Sequence, residues 1–327
     1  MSQNLEYMQI EPTTRCNFTC GFCAGRHMQQ QDLDFSVFKK LIDSTNNLKH
    51  IELQGEGEPL LHAQFFEMID YARARFPSLA VSFITNGSLF TAENIDRIIA
   101  ANIHTILISI ESTDEAEFQL IRGGKLPRVI SGITNLVERK IALKSTLKVG
   151  FAVTVLKQTV QQINAIGDLY KQLHMDGGIS IQPLQSMDCY TQFYSRDMRQ
   201  SIPNGDDRIA LNKLIATDDT LKYALKTYQS HKNFYTDLFT SVSPQQNVCA
   251  WLESGLYISA EGIAISCFFM KDARKNNYAP LADNLAEILG RRAGLSKSLK
   301  ENIIPAQCQG CGIAHNIQRR AKPGITS

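Results

Sequence analysis

No stretch of this chain approaches the ~18 consecutive apolar residues of a membrane-spanning helix. The opening residues, Met1-Ser2-Gln3-Asn4-Leu5-Glu6, lack the basic and apolar regions of a secretory signal. Neither sign of charge dominates: 34 Lys and Arg face 32 Asp and Glu, a formal net charge of +2. That balance gives no reason to expect nucleic acid or an anionic membrane as a partner. There is no low-complexity tract, and no internal repeat beyond an alternation of strand-like and helix-like segments. A cytoplasmic location is expected. In that reducing compartment the eight cysteines are read as metal ligands or catalysts rather than disulfides.

What is present is a long α/β pattern. The 327 residues, 43% of them hydrophobic, suffice for one large domain and a small one. Six β-rich runs, Glu6–Glu11, His50–Leu53, Ala80–Thr85, His104–Ile110, Lys148–Val155 and Gly178–Pro183, read mostly as continuous apolar segments. Such runs suit parallel strands covered on both faces. Between them lie helical stripes. One is Phe35, Phe38, Leu41 and Ile42 behind Asp34 as N-cap; another is Ile95, Ile98 and Ile99 after Thr91. Two more are Val129, Ile130, Ile133, Leu136 and Val137, and Val160, Ile163, Ile166, Leu169 and Leu173. Six β-α units predict a parallel barrel or an open parallel sheet, with ligands at the C-terminal ends of the strands. The pattern breaks after Gln185. The chain therefore divides into a domain over residues 1–188, a polar and partly helical segment over 189–248 as a possible cover for an active site, and a cysteine-bearing module over 249–327. The basic tail at Arg319, Arg320 and Lys322 reads as a solvated terminus.

Cys16-Asn17-Phe18-Thr19-Cys20-Gly21-Phe22-Cys23 follows the first strand with the spacing C-x3-C-x2-C. Three thiolates so close can grip one face of a cubane cluster and leave one iron open; on spacing alone, zinc and unrelated thiols stay as alternatives. The segment resembles the signature of the radical S-adenosylmethionine (SAM) superfamily, in which the residue before the last cysteine is aromatic. Here it is Phe22, which the resemblance places near the SAM adenine. Gly55-Glu56-Gly57-Glu58-Pro59 resembles the family's Gly-Gly-Glu-Pro motif, which receives the SAM amino group, and departs from it by placing Glu56 between the glycines. Thr85-Asn86-Gly87 resembles the family's turn beside SAM. Ser109 and Glu111 stand where the family contacts ribose, Arg122 resembles its arginine near the SAM carboxylate, and Gln182 is expected at the adenine edge. Each match alone is weak, but together they follow successive strand ends over residues 6–186. The resemblance implies a partial (β/α)6 radical SAM barrel, with Cys16, Cys20 and Cys23 on a [4Fe–4S] cluster. It also implies a SAM site at Phe22, Gly57, Glu58, Pro59, Thr85, Asn86, Ser109, Glu111, Arg122 and Gln182. Reductive cleavage of SAM to a 5′-deoxyadenosyl radical follows, with an external electron donor such as flavodoxin or ferredoxin.

Cys249 and Cys267 are separated by seventeen intervening residues, Gly262 stands five before Cys267, and Cys308-x2-Cys311 follows. Residues Gly255–Cys267 read as a hairpin turning at Ala260-Glu261-Gly262. Four cysteines also fit a structural zinc ribbon. Beside a radical SAM domain, however, the arrangement resembles the Twitch domain, the shorter relative of SPASM, which holds an auxiliary [4Fe–4S] cluster. The spacing is similar to that of the 2-deoxy-scyllo-inosamine dehydrogenases. His315 is a candidate substitute ligand. The eighth cysteine, Cys189, is either an inert thiol or a hydrogen-atom donor to a substrate radical, with Tyr190 and Tyr194 as nearby substrate contacts. Two functions are therefore carried forward. One is an oxidoreductase that dehydrogenates or cross-links a natural-product intermediate or a peptide. The other is a redox-neutral epimerase using Cys189. The short run before the first strand is expected to leave no room there for a peptide-recognition domain, which favours a small-molecule substrate only slightly, since a partner chain could bind a leader peptide.

Overall fold

The computed structural model describes residues 5–231, 249–265, 267–269, 285–309, 311 and 314. All six expected strands form: β1 (Tyr7–Ile10), β2 (His50–Leu53), β3 (Ala80–Thr85), β4 (Thr105–Ser109), β5 (Lys148–Val155) and β6 (Ile179–Pro183). They pair in parallel and in chain order, each beside the one before. A doubly wound sheet would reverse its order midway. This one does not, so the strands curl one way as a partial barrel.

Helices α1 (Phe35–Asp43), α2 (Phe65–Arg75), α3 (Ala92–Ala100), α4 (Glu115–Arg122), α5 (Leu126–Ala142) and α6 (Ile163–Gln172) connect the strands. The Asp34 carboxylate caps α1 by accepting from the Ser36 and Val37 amides, and Thr91 caps α3 through Asn94. The apolar stripes, among them Phe38, Leu41, Ile42, Ile95, Ile98, Val129, Ile133 and Leu136, are buried against Met8, Ile10, Ile51, Leu53, Val81 and Phe83 of the strands.

The C-terminal hairpin forms as expected, from β7 (Gly255–Ile258) and β8 (Ala264–Ile265). Its position was not legible. β7 pairs in parallel with β1, from Tyr7 opposite Gly255 to Ile10 opposite Ile258, so one sheet runs from barrel to hairpin. The open side of a partial barrel would otherwise expose the β1 edge.

The polar segment after β6 divides. Short helices α7 (Asp188–Thr191) and α8 (Arg196–Gln200) stay at the strand ends. The helical part of the segment is formed by two helices, α9 (Gly205–Thr217) and α10 (Asp219–His231). They break at Asp218, whose carboxylate accepts from the Leu221 amide and from Asn164. Both pack on α6, and α10 also packs on β6, burying Leu221 and Ala224. None of their residues lines the cavity described below; of this segment's described residues, Tyr190 of α7 and Tyr194 just after it do. Residues 232–248, like His315 and the basic tail, lie outside the described residues. A short helix α11 (Ala250–Ser254) precedes β7, and α12 (Leu285–Lys300) packs on it. Among the described residues no helix is long and apolar enough to cross a membrane.

Candidate active site

A cavity of about 220 Å³ opens at the C-terminal ends of the barrel strands. Its wall brings together Cys16, Cys20, Phe22, Cys23, Gly57, Glu58, Thr85, Asn86, Ser109, Glu111, Arg122 and Gln182; with Ala152 and Thr154 of β5, all six β-α units contribute. Of the SAM-site candidates only Pro59 stays out. It is buried as the first residue of a 3-10 turn, where a proline is already set for the required φ.

The cysteine loop is held from three sides. The Thr19 and Gly21 amides donate to the carbonyls of Arg122 and Ile121 at the end of α4. Gly123 closes that helix at φ +69, and a side chain there would strike Thr19. Asn86 Nδ2 donates to Asn17 Oδ1 at 2.8 Å and lies 3.8 Å from Cys16 Sγ. From β2, Glu56 Oε2 accepts the Ala24 and Gly25 amides at 3.1 and 3.2 Å and sits 3.2 Å from Cys23 Sγ. The residue that departs from the family motif is thus part of the cradle for the third cysteine. Gly57 is obligatory because a Cβ would collide with the Thr13 and Arg15 carbonyls.

Glu58 is turned inward. It is 1% exposed; Oε1 accepts from Thr85 Oγ1 at 2.7 Å and from the Leu60 amide at 3.3 Å, while Oε2 accepts from the Asn86 amide at 2.7 Å. It ties the β2 end to the β3 end, and both its oxygens already have partners. Burial nevertheless pushes its pKa up. Glu111 and Arg122, expected as separate ligand contacts, hold each other: Arg122 Nη1 donates to both Glu111 oxygens at 2.8 Å, with both side chains buried. Burial alone would lower the Arg122 pKa, but negative charge at Cys20 and Glu111 carries it up, so the guanidinium stays charged. Its Nε is buried with no hydrogen-bond partner. An orphaned cationic donor costs free energy unless an anion meets it, which fits a ligand carboxylate.

The donor set of the loop is three thiols with no fourth protein ligand in the loop. Burial raises all three pKa values, that of Cys20 to about 11. Three thiols facing a cavity fit a cluster with one open corner.

The second set differs. Cys249, Cys267, Cys308 and Cys311 pack around a core of Tyr7, Trp251, Leu252, Tyr257, Ile265, Leu299 and Ala314. Burial raises Cys249 to about 11 and Cys308 to about 12. Among the described residues no three histidine, cysteine or carboxylate side chains converge on a single-ion site.

Between the two sets lie Phe268 and Phe269, which the sequence left unremarked; they follow Cys267 directly and line the cavity, as do Gln185 and the expected contacts Tyr190 and Tyr194. Trp251 meets Phe268 edge-on at 4.8 Å, Phe268 meets Phe269 at 4.2 Å, and Tyr190 meets Phe269 at 6.4 Å. The available signal was adjacency to Cys267. Cys189 does not line the cavity. Its thiol donates to the Phe269 carbonyl at 3.4 Å, and burial pushes its pKa to about 11.

Residues 10–169 match the Radical SAM superfamily. Over 183 residues the chain is 25% identical to the tungsten-containing aldehyde ferredoxin oxidoreductase cofactor-modifying protein of Pyrococcus furiosus; the match covers 53% of this chain and spans half of that relative's length. The fold is similar to that of Streptococcus suis SuiB in its SAM-bound structure, at TM-score 0.68 and 14% identity, over 95% of this chain and 72% of that one. It is also similar to anSMEcpe bound to SAM and the Cp18Cys peptide, at TM-score 0.66 and 15% identity, over 97% and 89% of the two chains.

Proposed function

We propose that the chain, whose residues 10–169 match the Radical SAM superfamily, is a radical SAM enzyme that oxidises its substrate and passes the electron to a second cluster in the C-terminal module. Cys16, Cys20 and Cys23 would hold the first cluster, and Cys249, Cys267, Cys308 and Cys311 the second. A reduced cluster with SAM supplies a 5′-deoxyadenosyl radical that removes a hydrogen atom from a C–H bond. The protein's own part is orientation and exclusion of water. Arg122, anchored by Glu111, presents Nε to the SAM carboxylate. Asn86 and Glu56 fix the cysteine loop, and Phe22 and Gln182 flank the place for adenine. The outer wall, Tyr190, Tyr194, Phe268 and Phe269, keeps the reacting centre dry.

One observation carries the oxidising reading: Phe268 and Phe269 touch the cavity and are continuous with Cys267. An electron leaving a substrate there has a short path through packed aromatic residues to a second-set ligand. Nothing comparable favours epimerisation, because the Cys189 thiol donates a hydrogen bond to the Phe269 carbonyl and does not line the cavity. Among the described lining residues the outer polar groups are neutral, Gln182, Gln185, Thr154, Tyr190 and Tyr194, and the single cation, Arg122, is paired. Of the carboxylates in the lining, Glu58 and Glu111 serve internal partners and Glu56 the cysteine loop, so we take the reacting part of the substrate to be uncharged. It belongs to a small molecule or to a peptide, the latter being what SuiB and anSMEcpe carry in their complexes. The test is product mass in deuterium oxide. Oxidation predicts a product two hydrogens lighter, no carbon-bound deuterium, and tolerance of Cys189→Ala. An unchanged formula with deuterium at carbon, lost in Cys189→Ala, would establish the epimerase.

A further inference from the structure

Glu11, the first residue after β1, is fully buried and belongs to neither cysteine set. Its Oε1 accepts the Glu56 amide at 2.6 Å, and its Oε2 accepts the Ala260 amide at 3.2 Å. Its own amide donates to the Ile258 carbonyl at 2.8 Å. Ala260 is in the turn of the C-terminal hairpin, 249 residues away in sequence. Glu56 belongs to the loop that ends β2, and its carboxylate caps the turn carrying Cys23. Gly55 presses so closely on the Glu11 carboxylate that a Cβ there would overlap it. One side chain thus spans from the hairpin turn to the loop that walls the SAM cavity, and that loop reaches on to the third cysteine. The two contacts use separate oxygens. A glutamine, with a single acceptor oxygen and the same volume, can serve only one of them.

We infer that Glu11 is a positioning residue through which the C-terminal hairpin sets the geometry of the loop Gly55–Glu58, so that SAM affinity at the first site depends on an intact hairpin turn. The inference rests on the radical SAM reading of the cavity. The carboxylate satisfies the buried Ala260 amide and the part-buried Glu56 amide, and removing one acceptor leaves an amide unpaired and its loop free to turn. Because β7 lies against β1 and the Gly55 loop on the other side of it, the carboxylate at the β1 end holds both neighbours in register.

The full chain, reconstituted anaerobically with iron and sulfide, tests this by calorimetric titration with SAM. Glu11→Gln and Ala260→Pro, which removes the amide donor in the distant module, should each weaken SAM binding by about tenfold or more. Iron content should stay at the wild-type level, and methionine release at saturating SAM should recover. Ala260→Gly keeps the amide and should bind as wild type. A merely structural loss would lower iron content or the melting temperature without this split. Wild-type SAM affinity in Glu11→Gln overturns the inference, as does loss of half the iron in that variant. Should Ala260→Pro fail to fold, Glu11→Gln decides alone. Wild-type protein that binds no SAM would overturn the radical SAM reading itself, and the strut with it.

Discussion

The two cysteine sets are built by opposite means. The first has three thiols in eight residues, fixed by polar struts from neighbouring strand ends: Glu56 to Cys23, Asn86 to Asn17, and Glu58 to Thr85 and Asn86. The second gathers four thiols from positions 249 to 311 and wraps them in large apolar side chains, Trp251, Tyr7, Tyr257 and Leu299. A short loop beside a cavity cannot be held by bulk without filling the space its ligand needs, so it is held by hydrogen bonds. On the proposed reading the second set is closed and has no ligand to admit, so packing suffices; chemistry with an exchangeable partner would belong at the first set, and electron storage or support at the second.

Removing each set is the strongest way to break that contrast. Wild-type protein should carry about eight irons as two clusters of four. Replacing Cys16, Cys20 and Cys23 with alanine should halve the iron and abolish release of methionine and 5′-deoxyadenosine. Replacing Cys249, Cys267, Cys308 and Cys311 should also halve it, yet leave measurable SAM cleavage without product. Four irons plus one zinc in the wild type, by elemental analysis, would instead make the second set a zinc ribbon.

The next test exploits polar struts against apolar packing. Arg122→Met strands Glu111 as a buried, unpaired carboxylate, at a cost of about 3–5 kcal/mol. Adding Glu111→Leu should restore much of that stability in chemical denaturation while SAM binding stays lost. Recovery of both would show that the pair serves the fold alone. The matching weakness of the second region is volume: Trp251→Ala should cost about 3–5 kcal/mol there. Smaller than either, Glu58→Gln keeps volume but leaves one of three donors unserved, at about 1–3 kcal/mol with weaker SAM binding. A variant with normal stability and weak SAM binding would show a direct contact rather than a strut.

These differences also explain what was legible in the sequence. The barrel strands announced themselves because Ile51, Leu53, Val81 and Phe83 must all be buried, and burial writes continuous apolar runs. The cavity wall was legible because its residues close successive strands. Side-chain partners were not. Nothing local says that Arg122 pairs with Glu111 or that Glu58 turns inward, since those choices depend on strands that meet only in the fold. The docking of β7 on β1 was hidden for the same reason, joining residues 7–10 to 255–258. The helix break at Asp218 does have a local cause, a side chain that caps the next turn.

The smallest effect asks whether the two regions melt as one. Each has a carboxylate whose pKa is lowered on balance. For Asp176 in the barrel, burial acts upward, but hydrogen bonds from Lys140, the Val149 amide and Lys148 outweigh it. For Glu253 in the C-terminal module, burial acts upward and hydrogen bonds from Ser296 and Lys300 outweigh it. A folded-state pKa below the unfolded value stabilises the fold above about pH 4, and that contribution is lost as pH falls through the folded pKa. Asp176 is 39% exposed and Glu253 41%, so solvent screening limits each to at most about 1 kcal/mol. The chain's single tryptophan, Trp251, is buried in the second region and reports on it locally by fluorescence, whereas far-UV circular dichroism is dominated by the barrel. Glu253→Gln should raise the acid midpoint seen by fluorescence and leave that seen by circular dichroism nearly unchanged; Asp176→Asn should do the reverse. If both probes move together in both variants, the continuous sheet makes barrel and hairpin one cooperative unit. The contrast between the two cysteine sets is then one of local chemistry and not of independent stability.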